Sequence, residues 1–160
     1  MNIVTRHPIT RQGFERLKED LENLRKVELP KNVQAIAEAR AHGDISENAE
    51  FHAAKERQSI IASKMMELES VLSQTEVIDP LPEPDGRVVF GAKVTVYDPE
   101  INKEIVYQLV GQHESDPNVG KISLTSPIGQ ALIGHEEGDE VRFKTPGGLR
   151  LLEVVEINQG

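Results

Sequence analysis

The chain of 160 residues contains no cysteine and no tryptophan, and aromatic residues make up 4% of it. Without cysteine there is no disulfide, no thiol catalysis and no thiolate-held zinc, which fits a cytoplasmic address. So few aromatic rings leave little on which single-stranded bases could stack. Positive charge is also in short supply, with 18 Lys and Arg against 27 Asp and Glu and a formal net charge of −9. A protein that grips nucleic acid by its own charge needs the opposite balance. No apolar run approaches the roughly 18 residues of a spanning helix, and the opening MNIVTRHPIT carries no secretory apolar segment. What is present is a 38% hydrophobic fraction, enough to build a core. These features describe a soluble, acidic protein that does not bind nucleic acid on its own.

Proline divides the chain. Only Pro8 and Pro30 occur before residue 80, and the other seven prolines follow. The stretch Asp79-Pro80-Leu81-Pro82-Glu83-Pro84-Asp85-Gly86 excludes helix, since its prolines remove donors and fix φ. We read residues 80–86 as a linker between a first domain, 1–79, and a second, 87–160.

Helical periodicity dominates the first domain. Phe51, Ala54, Gln58, Ile61, Met65, Leu68, Leu72 and Thr75 step alternately by three and four, an a/d seam. Upstream, Phe14, Leu17, Leu21 and Leu24 form one such series and Leu29, Val33 and Ile36 a shifted one. The slip coincides with Pro30 and predicts a bend there; Thr10 is the expected N-cap. The short connection Ala41–Ser46 makes the arms antiparallel, an αα-hairpin about 45 Å long at about 1.5 Å per residue. Periodicity alone also admits a dimerising coiled coil as the lesser reading.

Short β-branched runs fill the second domain: Arg87–Phe90, Lys93–Tyr97, Glu104–Gly111, Lys121–Leu124, Glu140–Lys144 and Leu149–Ile157. Ser126-Pro127-Ile128 followed by Gly134 predicts one short helix, with an N-cap, a proline at N1 and a closing glycine. The fold class is therefore α+β in two domains, a helical hairpin followed by an antiparallel sheet with one short helix.

The informative stretch is the turn of the hairpin, Arg40-Ala41-His42-Gly43-Asp44-Ile45-Ser46-Glu47-Asn48-Ala49-Glu50-Phe51-His52. Gly43 suits a left-handed end to the first arm. Asp44 and Glu47, three apart, admit a structural reading as a capping box and a functional one as paired carboxylates offered to a hard cation. Two carboxylates are too few for Mg²⁺, which keeps octahedral oxygen coordination. Such a pair makes sense as half of a site that a partner or a phosphate completes. His42 and His52 lack the spacing of a zinc pair and read as exposed or cap-adjacent. Arg40 and Lys55 read either as ordinary surface charge or as cations facing a phosphate backbone.

Along Ile36–Arg40 and Gly43–Lys55, then Gly86–Val94, Ser126-Pro127-Ile128 with Leu132-Ile133-Gly134, Gly138-Asp139 and Thr145–Gly148, the sequence resembles the GreA-type bacterial transcript cleavage factors. The resemblance implies a C-terminal domain similar to FK506-binding proteins that docks on the rim of the RNA polymerase secondary channel. The hairpin would enter that channel as a monomer. Asp44 and Glu47 would then hold a Mg²⁺ shared with the polymerase active site, and Arg40 and Lys55 would contact the 3′ end of backtracked RNA. Ser126, Pro127 and Ile128 correspond to a docking loop. The factor would be a co-catalyst with no stably bound cofactor of its own, the nuclease activity belonging to the polymerase. Phe51 stands where the family often has Tyr, and the tip is less basic than in GreB-type relatives. The alternatives are a same-fold channel inhibitor without cleavage stimulation, or a prolyl isomerase built on Phe90, Tyr97, Tyr107 and Phe143.

Overall fold

The structure, a computed structural model, describes residues 6–43, 48–79 and 86–158. It forms two compact units. One is Phe14–Gln74; the other joins the residues up to Gly13 with those from Thr75 onward.

The helices are α1 (Arg11–Asn23), a π-helical turn (Leu24–Glu28), α2 (Leu29–Ala41) and α3 (Ala49–Ser73). Along α3 the seam is realised at every position to Leu72: Phe51, Ala54 and Ile61 are buried, and Gln58, Met65, Leu68 and Leu72 half-buried. Thr75, expected as its last member, is instead the first residue of a strand. The helix stops at Ser73 with Gln74 as C-cap, and β-branched Thr75 and Val77 continue in extended form.

The first arm corrects one further expectation, the burial of Val33. Helix continues up to and through Pro30, and the slip is absorbed by the widened turn before it, where the Leu29 N–H reaches back five residues to the Leu24 carbonyl. Proline lacks an N–H and crowds the carbonyl four residues earlier, and a wider turn relieves both problems. Beyond it Val33 is 52% exposed, and Asn32, 3% exposed, takes the seam position. Both Leu29–Asn32–Ile36 and Leu29–Val33–Ile36 fit a heptad. The first continues to Ala39, which is buried; the second would have carried Arg40 inward. The Asn32 amide donates to the Ala54 carbonyl at 2.9 Å, while its Oδ1 is buried without a partner. An orphaned acceptor of this kind costs about 1–3 kcal/mol.

The second unit holds a two-stranded parallel sheet, β1 (His7–Ile9) with β2 (Thr75–Val77). It also holds a five-stranded sheet of β3 (Lys93–Asp98), β4 (Lys103–Val110), β5 (Lys121–Ser123), β6 (Glu140–Thr145) and β7 (Gly148–Asn158). The order is β5-β4-β3-β7-β6, antiparallel except where β5 runs parallel to β4. Alternation on β3 sends Val94 and Val96 into a core with Leu109, Val141, Leu152 and Val154, which α4 (Pro127–Leu132) closes with Leu132.

Arg87–Phe90, expected as a strand, is not one. Its buried Val88 exchanges backbone hydrogen bonds with Gly134 and His135 in the loop after α4, both at 2.8 Å. The β-branched pattern there marked burial, and one such exchange is too little for a ladder.

Candidate functional site at the hairpin tip

α2 ends at His42, whose N–H donates to the Ala39 carbonyl at 3.2 Å. Gly43 follows with φ +125°, a conformation open to glycine and strained for other residues. α3 then opens on Asn48, which is extended, and whose Oδ1 accepts from the Phe51 N–H at 3.1 Å. This is an N-cap in the usual sense. The cap of α3 is thus supplied by Asn48. Asn48 also donates its Nδ2 to the Ala39 carbonyl at 2.6 Å, tying the two arms together at their ends. Sequence reading missed both roles, although an asparagine directly before Ala-Glu-Phe-His-Ala-Ala-Lys is the signal for a cap.

Asp44 and Glu47 lie outside the described residues. The residues that bracket them in the chain, Gly43 and Asn48, stand at the hairpin tip.

Arg40 and Lys55 are brought together. With Val33, Ile36, Ala37 and Gln58 they line a shallow depression of about 260 Å³ between the arms. The Arg40 guanidinium lies 5.6 Å from the centre of the Phe51 ring, so a buried aromatic face helps to hold it. Phe51 in turn meets the His52 ring edge-on at 5.7 Å. The groove on the other side of the seam, about 290 Å³, is lined by Glu38, His42, Glu50 and Arg57 among alanines. The two grooves thus differ in sign: one offers two cations, the other a mixed, partly acidic wall. His42 and His52 are exposed, as their spacing predicted.

In the second unit Ser126 caps α4. Its hydroxyl accepts from the Gly129 N–H at 3.1 Å and donates to the Ser123 carbonyl at 2.6 Å. Pro127 is exposed, and Ile128 packs against the core. The four aromatics considered for an isomerase pocket do not share a face. Tyr107 pairs in register with inward-facing Val94, whereas Tyr97 follows inward-facing Val96 and so points to the other side of the sheet.

A family described as "Transcription elongation factor, N-terminal" matches residues 7–77, and "Transcription elongation factor, GreA/GreB, C-term" matches residues 83–159. Transcription elongation factor GreA of Syntrophus aciditrophicus is 53% identical over 150 residues, 94% of this chain and 93% of that protein. GreA of Alkalilimnicola ehrlichii is 50% identical over 151 residues, 94% of this chain and 96% of that one. Among solved structures, GreA factor homolog 1 of Thermus thermophilus aligns over 96% of this chain and 99% of that chain, with 31% identity and a TM-score of 0.41. The sequence matches define the class, a transcription elongation factor. Both halves match in order and nearly end to end, and the chain belongs to the GreA/GreB family.

Proposed function

We propose that this elongation factor acts on bacterial RNA polymerase by placing its hairpin tip in the secondary channel and stimulating cleavage of backtracked RNA. The observation that carries the reading is the cationic groove. Arg40 and Lys55 share one face of the hairpin next to the turn that contains Asp44 and Glu47. A phosphate backbone lying in that groove meets two cations, whereas the opposite groove sets Glu38 and Glu50 beside Arg57.

Asp44 and Glu47 have the donor chemistry for Mg²⁺, hard carboxylate oxygens, but two such groups are short of an octahedral set. The two carboxylates therefore suit an ion shared with the polymerase, which when bound supplies an activated water and charge stabilisation for phosphodiester hydrolysis. Arg40 and Lys55 orient the RNA, and the sequence Ser126-Pro127-Ile128 presents exposed Pro127 for docking. No helix among the described residues is long and apolar enough to cross a membrane.

The test is RNA release from a backtracked elongation complex. Asp44→Ala with Glu47→Ala should abolish stimulated cleavage while the variant still competes with the unmodified protein for polymerase. Undiminished cleavage with docking intact overturns the proposal.

A further inference from the structure

Charge explains only part of the depression that holds Arg40 and Lys55. Its other lining residues are Val33, Ile36 and Ala37 of α2 and Gln58 of α3. Val33 is 52% exposed, an apolar side chain facing solvent beside two cations. Gln58 interrupts the seam of α3, whose other members from Phe51 to Leu72 are all apolar. A leucine at that position would bury apolar surface and strand no polar atom. The Gln58 side chain is instead half-buried and lines the depression, its amide without a hydrogen-bond partner among the described residues. Arg40 and Lys55 likewise have no ion-pair partner among those residues, in a chain of net charge −9. Packing within the hairpin accounts for none of these three features.

The placement of these groups matches the parts of a nucleotide. Arg40 lies seven residues closer to the turn than Val33, about 10 Å along α2. Side chains lean toward the N-terminus of their own helix. In antiparallel arms Arg40 therefore leans away from the turn while Lys55 and Gln58 lean toward it. The polar groups converge over the wall of Val33, Ile36 and Ala37. A nucleotide presents an anionic phosphate, a sugar, and a flat base with apolar faces and a polar edge. The volume of about 260 Å³ is room for one nucleoside. An amide sets a donor beside an acceptor, and the pairing edge of each of the four RNA bases does the same. Turning the amide over matches either polarity, so such a contact is indifferent to base identity.

We infer that the depression is a subsite for one unpaired RNA nucleotide. Arg40 and Lys55 hold its phosphate, Val33, Ile36 and Ala37 support the face of its base, and Gln58 bonds the base edge. The inference rests on the reading that the tip meets backtracked RNA, and extends it from the phosphate to the base. No aromatic ring among the described residues lines the depression, so the base contact is weaker than a stack.

The experiment measures binding of the full chain to a backtracked polymerase from which Mg²⁺ has been chelated, so that the RNA stays intact. A single abasic nucleotide is placed in turn at each position of the extruded RNA, and the protein concentration for half-occupancy is read. One position should raise that concentration roughly fivefold, as the loss of one base contact does. Exchanging the base there among A, C, G and U should change it by less than about twofold, since the amide fits every pairing edge. In the double variant Val33→Ser with Gln58→Ala, which keeps both cations, the abasic effect should fall below about twofold for want of a base contact to lose. The double variant should occupy a complex that is not backtracked as well as the unmodified protein does, which shows that it is folded. Occupancy indifferent to every abasic position overturns the subsite, and so does an abasic effect that the double variant retains in full. Arg40→Ala separates this from the broader reading. If it weakens occupancy of the backtracked complex while no abasic position does, the phosphate contact stands and the base subsite falls. If Asp44→Ala with Glu47→Ala leaves cleavage intact but the abasic effect is present, the tip chemistry fails and the subsite stands.

Discussion

The Glu114 carboxylate holds Thr10 twice, Oε2 accepting its backbone N–H at 2.9 Å and Oε1 its hydroxyl. Oε2 also accepts the Gly111 N–H at 2.8 Å, and the Thr10 hydroxyl accepts the Gly13 N–H at 3.0 Å as N-cap of α1. A Cβ on Gly13 would stand 2.0 Å from Glu114 Oε1. A glutamate tip normally swings aside at little cost, but this one cannot do so without stranding its donors. Gly13→Ala should therefore destabilise the protein in urea unfolding by on the order of 1 kcal/mol, the lost bonds outweighing alanine's helix propensity. In a Glu114→Ala background, itself about 1–3 kcal/mol less stable, the same change should become neutral or stabilising. Additive effects in that cycle would contradict the clash.

Asp98 is fully buried and depends on one cation. Its carboxylate meets the Arg150 guanidinium and accepts the Glu100 N–H at 3.0 Å, while Arg150 Nε also faces Glu100 at 3.2 Å. Arg150→Met leaves a buried carboxylate without its partner and should cost on the order of 3 kcal/mol. Adding Asp98→Asn removes the stranded charge and should recover most of that loss. Thermal unfolding of the two variants beside the unmodified protein checks it, and a double variant less stable than Arg150→Met would contradict the charge argument.

Periodicity made the hairpin legible because burial selects every third or fourth side chain, and α3 obeys it from Phe51 to Leu72. It failed where two phases fit equally well. Polarity favoured Val33 over Asn32, and the asparagine is buried because its phase continues to Ala39, whereas that of Val33 would carry Arg40 inward. The parallel pair His7–Ile9 and Thr75–Val77 was invisible because its partners lie far apart in sequence and each is only three residues long. At the tip Asp44 and Glu47 drew attention as a capping box, and Asn48 holds that place. Spacing identifies which residues are able to cap; which one does depends on where the helix begins.

Two aspartates, exposed Asp79 and half-buried Asp139, predict acid sensitivity. Asp139 is held below the ordinary aspartate range by the Glu136 N–H, at 2.9 Å, and by His135, whose Nδ1 lies 3.1 Å away. Asp79 is lowered in the same direction, chiefly by its hydrogen bonds from Arg11. A carboxyl whose pKa is lower folded than unfolded stabilises the fold fully above the unfolded value, about 3.9. That stability is lost as pH falls through the lower, folded value. Between pH 7 and 5 unfolding midpoints should thus be insensitive to these groups. Below about pH 4, Asp139→Asn should flatten the decline relative to the unmodified protein. Parallel profiles down to pH 2.5 would remove Asp139 from the account.

Ser126 and Pro127 allow capping to be separated from docking. The Ser126 hydroxyl caps α4, and an aspartate at that position is an equally good cap. Ser126→Ala should cost about 0.5–2 kcal/mol, whereas Ser126→Asp, which keeps the cap but cannot donate to the Ser123 carbonyl, should cost less. Pro127 is exposed and makes no contribution to the core, so Pro127→Asp tests the loop as a docking surface. It should raise the factor concentration needed for half-maximal cleavage at least threefold while the melting temperature holds steady. Should Ser126→Asp raise that concentration as well, the serine hydroxyl itself touches the partner. If neither variant moves it, the loop closes the sheet and the docking surface lies elsewhere.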